Sequence, residues 1–475
     1  MRIAFLAGVL VTGCQFNAAT LDEGMTPTPD AMPPMPDAPG TTCTAPFCED
    51  GALMTCDGQS TACTNGCVSA SSTGEAHCGV FVPSYGVSLS FATATGTEDK
   101  TLSGGRYVVN TNSGSIFRCG ATGDPADLVS IRETGSGVKQ GIFYQRLSVA
   151  NAPDVSAFGF LSLTIAADAE IYAIGDASLS MISSGPLQIS GAIRLVGGET
   201  ACSLTTACAL VHSNSTTQAE CAAPGGGAGG GRGANGHGAG AGQAGNADGE
   251  GGGGGAHASI GGDGGKTGGA GGEAFAIGPL QGGGGGAGGR DDGGDDGGHG
   301  GGGGGALQLV SAASITLTAP EINGGLGITV GGGGGTPGQS TAGGAGGGAG
   351  GMILLEAPAI SVTNAFLLAN GGGGGSGNCA GGAGDLLCWG VTSGFSLTTA
   401  PGGETGAAGT AIPGGDGGAG ETQAGGPGQG DAGAAGGGGG GGSVGRILLR
   451  TATSMTTIVG DKISPEPQQL PIVVQ

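Results

Sequence analysis

Basic and aromatic residues are scarce in this chain: 14 Lys and Arg stand against 36 Asp and Glu, for a net charge of −22, and Phe, Tyr and Trp make up 4% of the residues. Nucleic-acid binding rests on cationic patches and stacking rings, so the composition excludes it, and anionic headgroups are repelled for the same reason. Long apolar runs are missing as well. The run near the start, Ile3 to Val11, has nine residues, against the ~20 that a membrane-spanning helix needs. The five histidines, His77, His212, His237, His257 and His299, are scattered without an HExxH pattern, and no Gly-x-Ser-x-Gly elbow is accompanied by a base. Glycine runs contain GxGxxG many times, but none follows a strand and opens a helix, so they carry no phosphate-binding signal. No catalytic residue is assigned.

What is present begins with an export signal. Arg2 supplies one positive charge, an apolar run follows, and small residues lead to Cys14; residues 1–13 are expected to be removed. Val11-Thr12-Gly13-Cys14 resembles the lipobox of bacterial lipoproteins. The resemblance implies that Cys14 is diacylated and becomes the N-terminus, with the acyl chains as the membrane anchor. Gln15 stands where such families often carry an Asp that retains them at the inner membrane, so the resemblance implies the outer membrane, with the body exposed at the cell surface. The alternative is an ordinary signal peptide with Cys14 as a stray thiol.

Thirteen cysteines in an exported chain read as disulfides. With Cys14 lipidated, an even number remains for pairing. Residues 14–42 are a lipidated Cys and a Pro-rich linker, where proline density favours extended polyproline II. Residues 43–78 hold Cys43, Cys48, Cys56, Cys63, Cys67 and Cys78, a segment too short for a core and therefore expected to be cross-linked by three bridges of open connectivity. A zinc site on Cys43-x4-Cys48 and Cys63-x3-Cys67 is the alternative, against which stands the lack of tight CxxC knuckles.

Residues 79–160 contain short alternating strands, such as Val87 to Phe91 and Gly105 to Val109, expected to cap or begin the body. From 161 to 460 one template recurs: two apolar pairs eight residues apart, in Leu179-x-Met181 with Leu187-x-Ile189, Leu307-x-Leu309 with Ile315-x-Leu317, and Met352-x-Leu354 with Ile360-x-Val362. Leu163-x-Ile165 with Ile171-x-Ala173 fits it, and Ile447 to Leu449 with Met455-x-Thr457 fits with a one-residue slip. A third apolar segment and a glycine turn follow, as at Ile193, Ile322 and Phe366. Units of short strands that cannot bury one face alone must stack, and the expected fold is all-β, a parallel β-helix solenoid; locally paired strands in a β-sandwich are the alternative. Glycine-rich insertions at 222–305, 331–351 and 371–443 all leave after the third strand of a unit, at one corner. Two states are open to them: floppy loops, because glycine loses most entropy on ordering, or polyglycine II packing, in which bare backbones hydrogen-bond laterally. No strict Gly-X-Y period exists, which excludes collagen. Residues 461–475 are a C-terminal tail.

The whole pattern of lipobox, Pro-rich spacer, cysteine module and apolar coils split by GGxGG tracts resembles glycine-rich, PGRS-like surface lipoproteins of myxobacteria and related deltaproteobacteria. That resemblance implies a surface role and carries no catalytic residues. Asp291, Asp292, Asp295 and Asp296 put four carboxylates on a glycine frame, a candidate calcium site or a solvated acidic loop; no other cofactor is expected. Three functions compete: a non-catalytic structural or adhesive surface protein, a calcium-assisted carbohydrate binder, and a polysaccharide-degrading enzyme. Outward coil positions such as Ser180, Gln188, Gln308, Thr316 and Ser361 are small and uncharged, which counts against the enzyme, and the first needs only the architecture. The expected partners are the membrane, through the lipid, and surface polysaccharide or neighbouring cells.

Overall fold

The computed structural model describes residues 45–472, apart from 50–51, 64–66, 71–74, 80, 85–95, 121–126, 199–202, 210–219, 320–325, 381–384, 407–408, 431–434, 453–455 and 461. The signal segment, Cys14, the Pro-rich linker, Cys43, the strand expected at Val87 to Phe91, Ile322 and Met455 lie outside the described residues.

The chain is nearly all β, with one short α-helix, Leu204–Ala209, and a 3-10 turn, Leu386–Cys388, among the described residues. The cysteine segment forms an antiparallel meander of Phe47–Glu49, Ala52–Met54 and Ser60–Ala62, beside a two-stranded pair of Cys67–Val68 and His77–Cys78. Disulfides Cys48–Cys67 and Cys63–Cys78 pin it, and Cys56 is also disulfide-bonded. These bonds occupy Cys48, Cys63 and Cys67, whose sulfurs a zinc site would need as free thiolates. Further along, Cys119 pairs with Cys208 and Cys379 with Cys388.

Three parallel ladders make the body. The first runs through Val155–Phe160, Ser178–Ser183, Ala306–Ser311, Met352–Glu356, Arg446–Thr451 and Gln468–Pro471. The second runs through Asp99–Leu102, Ser162–Ile165, Leu187–Ile189, Ser314–Thr318, Ala359–Thr363 and Thr456–Val459. The third runs through Gly105–Asn110, Ala169–Ile174, Ala192–Arg194, Gly327–Thr329, Phe366–Leu368 and Ile463–Ser464. The chain visits first, second and third ladder in rotation, and each strand pairs with its counterpart one circuit later. Period-two alternation turns Leu179, Met181, Leu187, Ile189, Leu307, Leu309, Ile315 and Leu317 into one buried cluster, which is the burial that holds the circuits together.

Two parts of the repeat sit differently from the sequence alignment. The first-ladder register pairs Leu307 with Ile353 and Leu309 with Leu355, so Ile353 and Leu355 join the inner core while Met352 and Leu354 face outward into a second apolar cluster. A slip of one residue moves every side chain to the opposite face, and the run Met352 to Leu355 is apolar on both faces, which hid the register. Leu163 and Ile165 pair with Leu187 and Ile189 in the second ladder, and Ile171 lies in the third, so that unit is displaced by one ladder. The third strand after Ser314–Thr318 is Gly327–Thr329, later than the Ile322 segment.

The early end of the stack is closed by antiparallel strands. Gly137–Lys139 and Ile142–Leu147 extend the first ladder, and Ile116–Arg118 and Val129–Arg132 extend the third. Arg132 is fully buried here and donates to the carbonyls of Ile142, Gly114, Glu133, Gly135 and Gly137, with its guanidinium over the Tyr144 ring. A buried charge is tolerable only when so satisfied.

All three long excursions leave after a third-ladder strand and return at a first-ladder strand: between Arg194 and Ala306, Thr329 and Met352, and Leu368 and Arg446. They are ordered against one another. In the strand 343–351 the amides of Gly343, Gly346 and Ala349 donate to Arg290, Ala287 and Gly284. Those of Gly344, Gly347 and Gly350 donate to Gly437, Gly440 and Ser443, and those of Ala345, Gly348 and Gly351 to Thr336, Gly333 and Val330. The same strand accepts from Gly252 and Gly255, from Gly298, Gly301 and Gly304, and from Gly372 and Gly375. Every third residue therefore meets the same neighbour, as the three-residue turn of a polyproline II helix requires, and one strand has six neighbours. These bonds follow the pattern of polyglycine II packing, the ordered one of the two states that the composition left open.

Prolines mark the rim of the bundle. In the strand 412–418, Ile412, Gly415 and Gly418 donate to Gly377, Gly439 and Gly442, and Gly414 and Gly417 to Gly403 and Ala400; the third series of positions falls on Pro413 and Asp416. In the neighbouring strand, Gly425 and Gly428 donate to Ile260 and Asp263, Gly426 and Gln429 to Asp416 and Pro413, and Pro427 takes the remaining place. Proline fits the backbone geometry and has no amide to leave unpaired, the device that β-sheets use on edge strands.

Candidate functional site

Some turns of the three excursions come together in one place. There the amide of Gln339 donates to Asp296, that of Gly249 to Asp291 and that of Asn378 to Ala342, so loops from all three excursions meet. The candidate calcium ligands lie in this region and are tied to protein groups. An Asp291 carboxylate oxygen accepts from the Gly297 amide at 2.7 Å, Asp295 accepts from the Thr341 hydroxyl at 3.1 Å, and Asp296 pairs with Arg232 at 2.5 Å. Asp292 and Asp295 also form a backbone bridge that turns the loop. Among the described residues the one group of three metal-type side chains with mutually close ligand atoms is Cys379, Asp385 and Cys388, and its two sulfurs are joined as a disulfide. Asp385 instead caps the following turn by accepting from the Leu387 amide, and that turn presents Leu386 and Leu387 to solvent, 66% and 53% exposed.

The outer face of the first ladder holds a charged group that the sequence reading missed. Glu356 is fully buried; it accepts from the Ser84 amide at 3.2 Å and from the Gln308 amide at 2.6 Å, and Ser180 donates to Gln308 at 2.8 Å. Arg450 lies on the next strand with Nε 3.9 Å from Glu356. Ser180 and Gln308, expected on an open coil face, are buried, because Phe81, Ser84 and Leu280 cover this face. Nothing in the pattern MILLE separated Glu356 from a solvated charge, since Ser84, which covers it, is 272 positions away.

Burial pushes the Glu356 carboxyl above the usual range, opposed by the hydrogen bonds from Ser84 and Gln308 and by the Arg450 charge. A raised acid favours the protonated folded form: its contribution to stability is present below the unfolded pKa and is lost as pH rises through the folded value. Glu356→Gln removes the buried charge, so the variant gains on the wild type as pH rises from about 4 to 8. Thermal unfolding at both ends of that range checks this, and a difference that does not change with pH would refute it.

The third ladder's outer face is also covered. Helix Leu204–Ala209 packs on Val108, Tyr172 and Ile174, tied by Cys119–Cys208. Arg106 and Arg194 flank Glu170 at 3.6 and 3.3 Å, and Arg194 stacks on Phe395, 4.3 Å from the ring centre. Of the histidines, His257 is buried beside Phe275 and its pKa is pushed down to about 3 by desolvation, then by the Arg446 charge. It is a neutral packing group at any physiological pH. His299 pairs with Glu220, which joins the end of the first excursion to its beginning.

The openings among the described residues include two. One, of about 170 Å³, is lined by Ile277, Arg446, Pro465 and Glu466 among others. The other is an open groove of about 790 Å³ along the bundle rim between residues 414–417 and 424–429. Comparison with protein-family models, with curated proteins and with solved structures finds no match.

Proposed function

We propose that the three ladders form a parallel β-helix and that the protein is a non-catalytic, lipid-anchored surface protein of the outer membrane with a structural or adhesive role. The observation that carries this reading is the glycine bundle. Its backbone bonds are made in three directions per strand, so it is a stiff body rather than a set of loops, and it brings turns from three distant excursions together in one place. A stiff body behind a Pro-rich spacer suits display away from a membrane. The rotation of the chain through three parallel ladders supports the solenoid.

Anchoring rests on Cys14. Two acyl chains hold a protein where one only visits, so Cys14→Ser is expected to move the protein from the membrane to the soluble fraction. Cell fractionation with intact-mass measurement tests it; a Cys14→Ser protein that stays in the membrane with the wild-type mass addition would reject lipid anchoring.

A further inference from the structure

Among the described residues, the outward side chains of the second ladder are exposed or half-exposed, where those of the other two ladders are covered. Apart from Lys100 and Thr456 at inward positions and Ala359 and Val459 at outward ones, its strands alternate inward apolar and outward polar residues, and nine of the thirteen outward positions carry a hydroxyl. The register aligns them in rows across the circuits. Thr101, Thr164, Gln188, Thr316, Ser361 and Thr457 stand side by side on six successive strands, and Thr318 and Thr363 begin a parallel row. These side chains are exposed or half-exposed. Neighbouring strands lie ~4.8 Å apart, and residues two apart along a strand ~6.7 Å, so the face is a two-dimensional grid of hydroxyl and methyl groups. The outward positions of these strands carry one charge, Asp99 at the first of them.

We propose that this face docks onto the surface of a neutral, insoluble polysaccharide, a partner that repeats its own hydroxyls over a flat area. The inference rests on the adhesive reading above and names its partner. Three features choose that occupant. The outward side chains of the row stand exposed or half-exposed rather than enclosed, whereas sites for small ligands are concave and enclose most of the ligand, so a free oligosaccharide finds too few contacts. Its outward positions hold no ring on which a single sugar stacks. They are all but uncharged in a chain of net charge −22, which leaves anionic polymers repelled and neutral ones not. A flat grid gains by summing many weak contacts, and only an extended solid offers them all at once.

The test uses the full chain carrying Cys14→Ser, so that no lipid contributes, sedimented with microcrystalline cellulose and with insoluble chitin. Protein with the native grid is expected to be retained on at least one of them, unaffected by chelator and little changed by high salt, because the contacts are uncharged. Thr316→Lys with Ser361→Lys should weaken retention roughly tenfold or more, while Val138→Lys, on the antiparallel hairpin, should not; unchanged thermal unfolding in both variants shows that they fold. Protein left in the supernatant with both solids overturns the proposal, as does equal retention of the double variant. Failure to bind cellulose and chitin, with arrest of ice-crystal growth that the double variant loses, would assign the grid to ice and also overturn it. None of these results bears on anchoring, which the fractionation above decides separately.

Discussion

Placing a side chain in the middle of the glycine bundle is expected to melt it, whereas the same side chain at a glycine outside the lattice costs little. A Cβ on Gly346 would lie inside van der Waals contact of the Gly253 carbonyl, and one on Gly440 would meet the Gly262 carbonyl in the same way. Both obstacles are backbone, and neither can rotate away. The strands involved are fixed on their other sides too: Gly346 donates to Ala287 and accepts from Gly301, and Gly440 donates to Gly252 and accepts from Gly347. Overpacking a dense core costs ~1–3 kcal/mol per site, so Gly346→Val with Gly440→Val is expected to lose about 5 kcal/mol. Gly394, with no atom within 4 Å of its Cβ position, is the control: Gly394→Val should shift stability by less than about 1 kcal/mol. Hydrogen exchange of the amides in 343–351 reads the bundle directly. Equal stability of the double variant and the control would mean that the lattice does not exist.

Deleting the first excursion gives the second large effect, and its sign discriminates an ordered bundle from a floppy one. Replacing the chain between Arg194 and Ala306 by a short Gly-Ser turn shortens the loop by several doublings, which for a disordered loop would add ~2–3 kcal/mol of stability. In the bundle the same deletion strips the acceptors from amides on several remaining strands, six of them on two strands: those of Gly343, Gly346 and Ala349, which use Arg290, Ala287 and Gly284, and those of Gly437, Gly440 and Ser443, which use Gly249, Gly252 and Gly255. At ~1 kcal/mol net per bond, these six alone lose about 6 kcal/mol and outweigh the gain. The shortened protein should therefore unfold at lower temperature, with faster exchange in 343–351 and 436–443. The ladders should still form, because Ser178–Ser183 and Ala306–Ser311 remain free to pair. A rise in melting temperature would contradict the bundle.

Much of the body was legible because period-two alternation survives any change of context. Leu179, Met181, Leu187 and Ile189 declare their inward face without reference to the rest of the chain, and the recurrence at Leu307 and Ile315 places the next circuit. The reading failed where the local pattern carried no phase. Met352 to Leu355 is apolar on both faces because a second cluster forms outside the first ladder; alternation cannot assign a strand that is buried twice. The same covering turned Gln308 and Ser180 from surface residues into buried ones and hid Glu356. The candidate aspartates were visible as a cluster, but only the folded loops show that Asp291, Asp295 and Asp296 are engaged by Gly297, Thr341 and Arg232.

The sequence by itself determined the strand content, the inward residues of Ser178–Ser183, Leu187–Ile189, Ala306–Ser311 and Ser314–Thr318, the single corner from which the excursions leave and the oxidised state of the described cysteines, all set by side-chain type at short range. Tertiary structure decided the glycine tracts. A glycine strand has no side chain to specify its neighbours, so its order comes only from backbone bonds to strands far along the chain, as Gly440 is from Gly252. No local pattern encodes such a partner. The lattice forms because the ladders hold three excursions at one corner, where six neighbours can satisfy one strand in every direction.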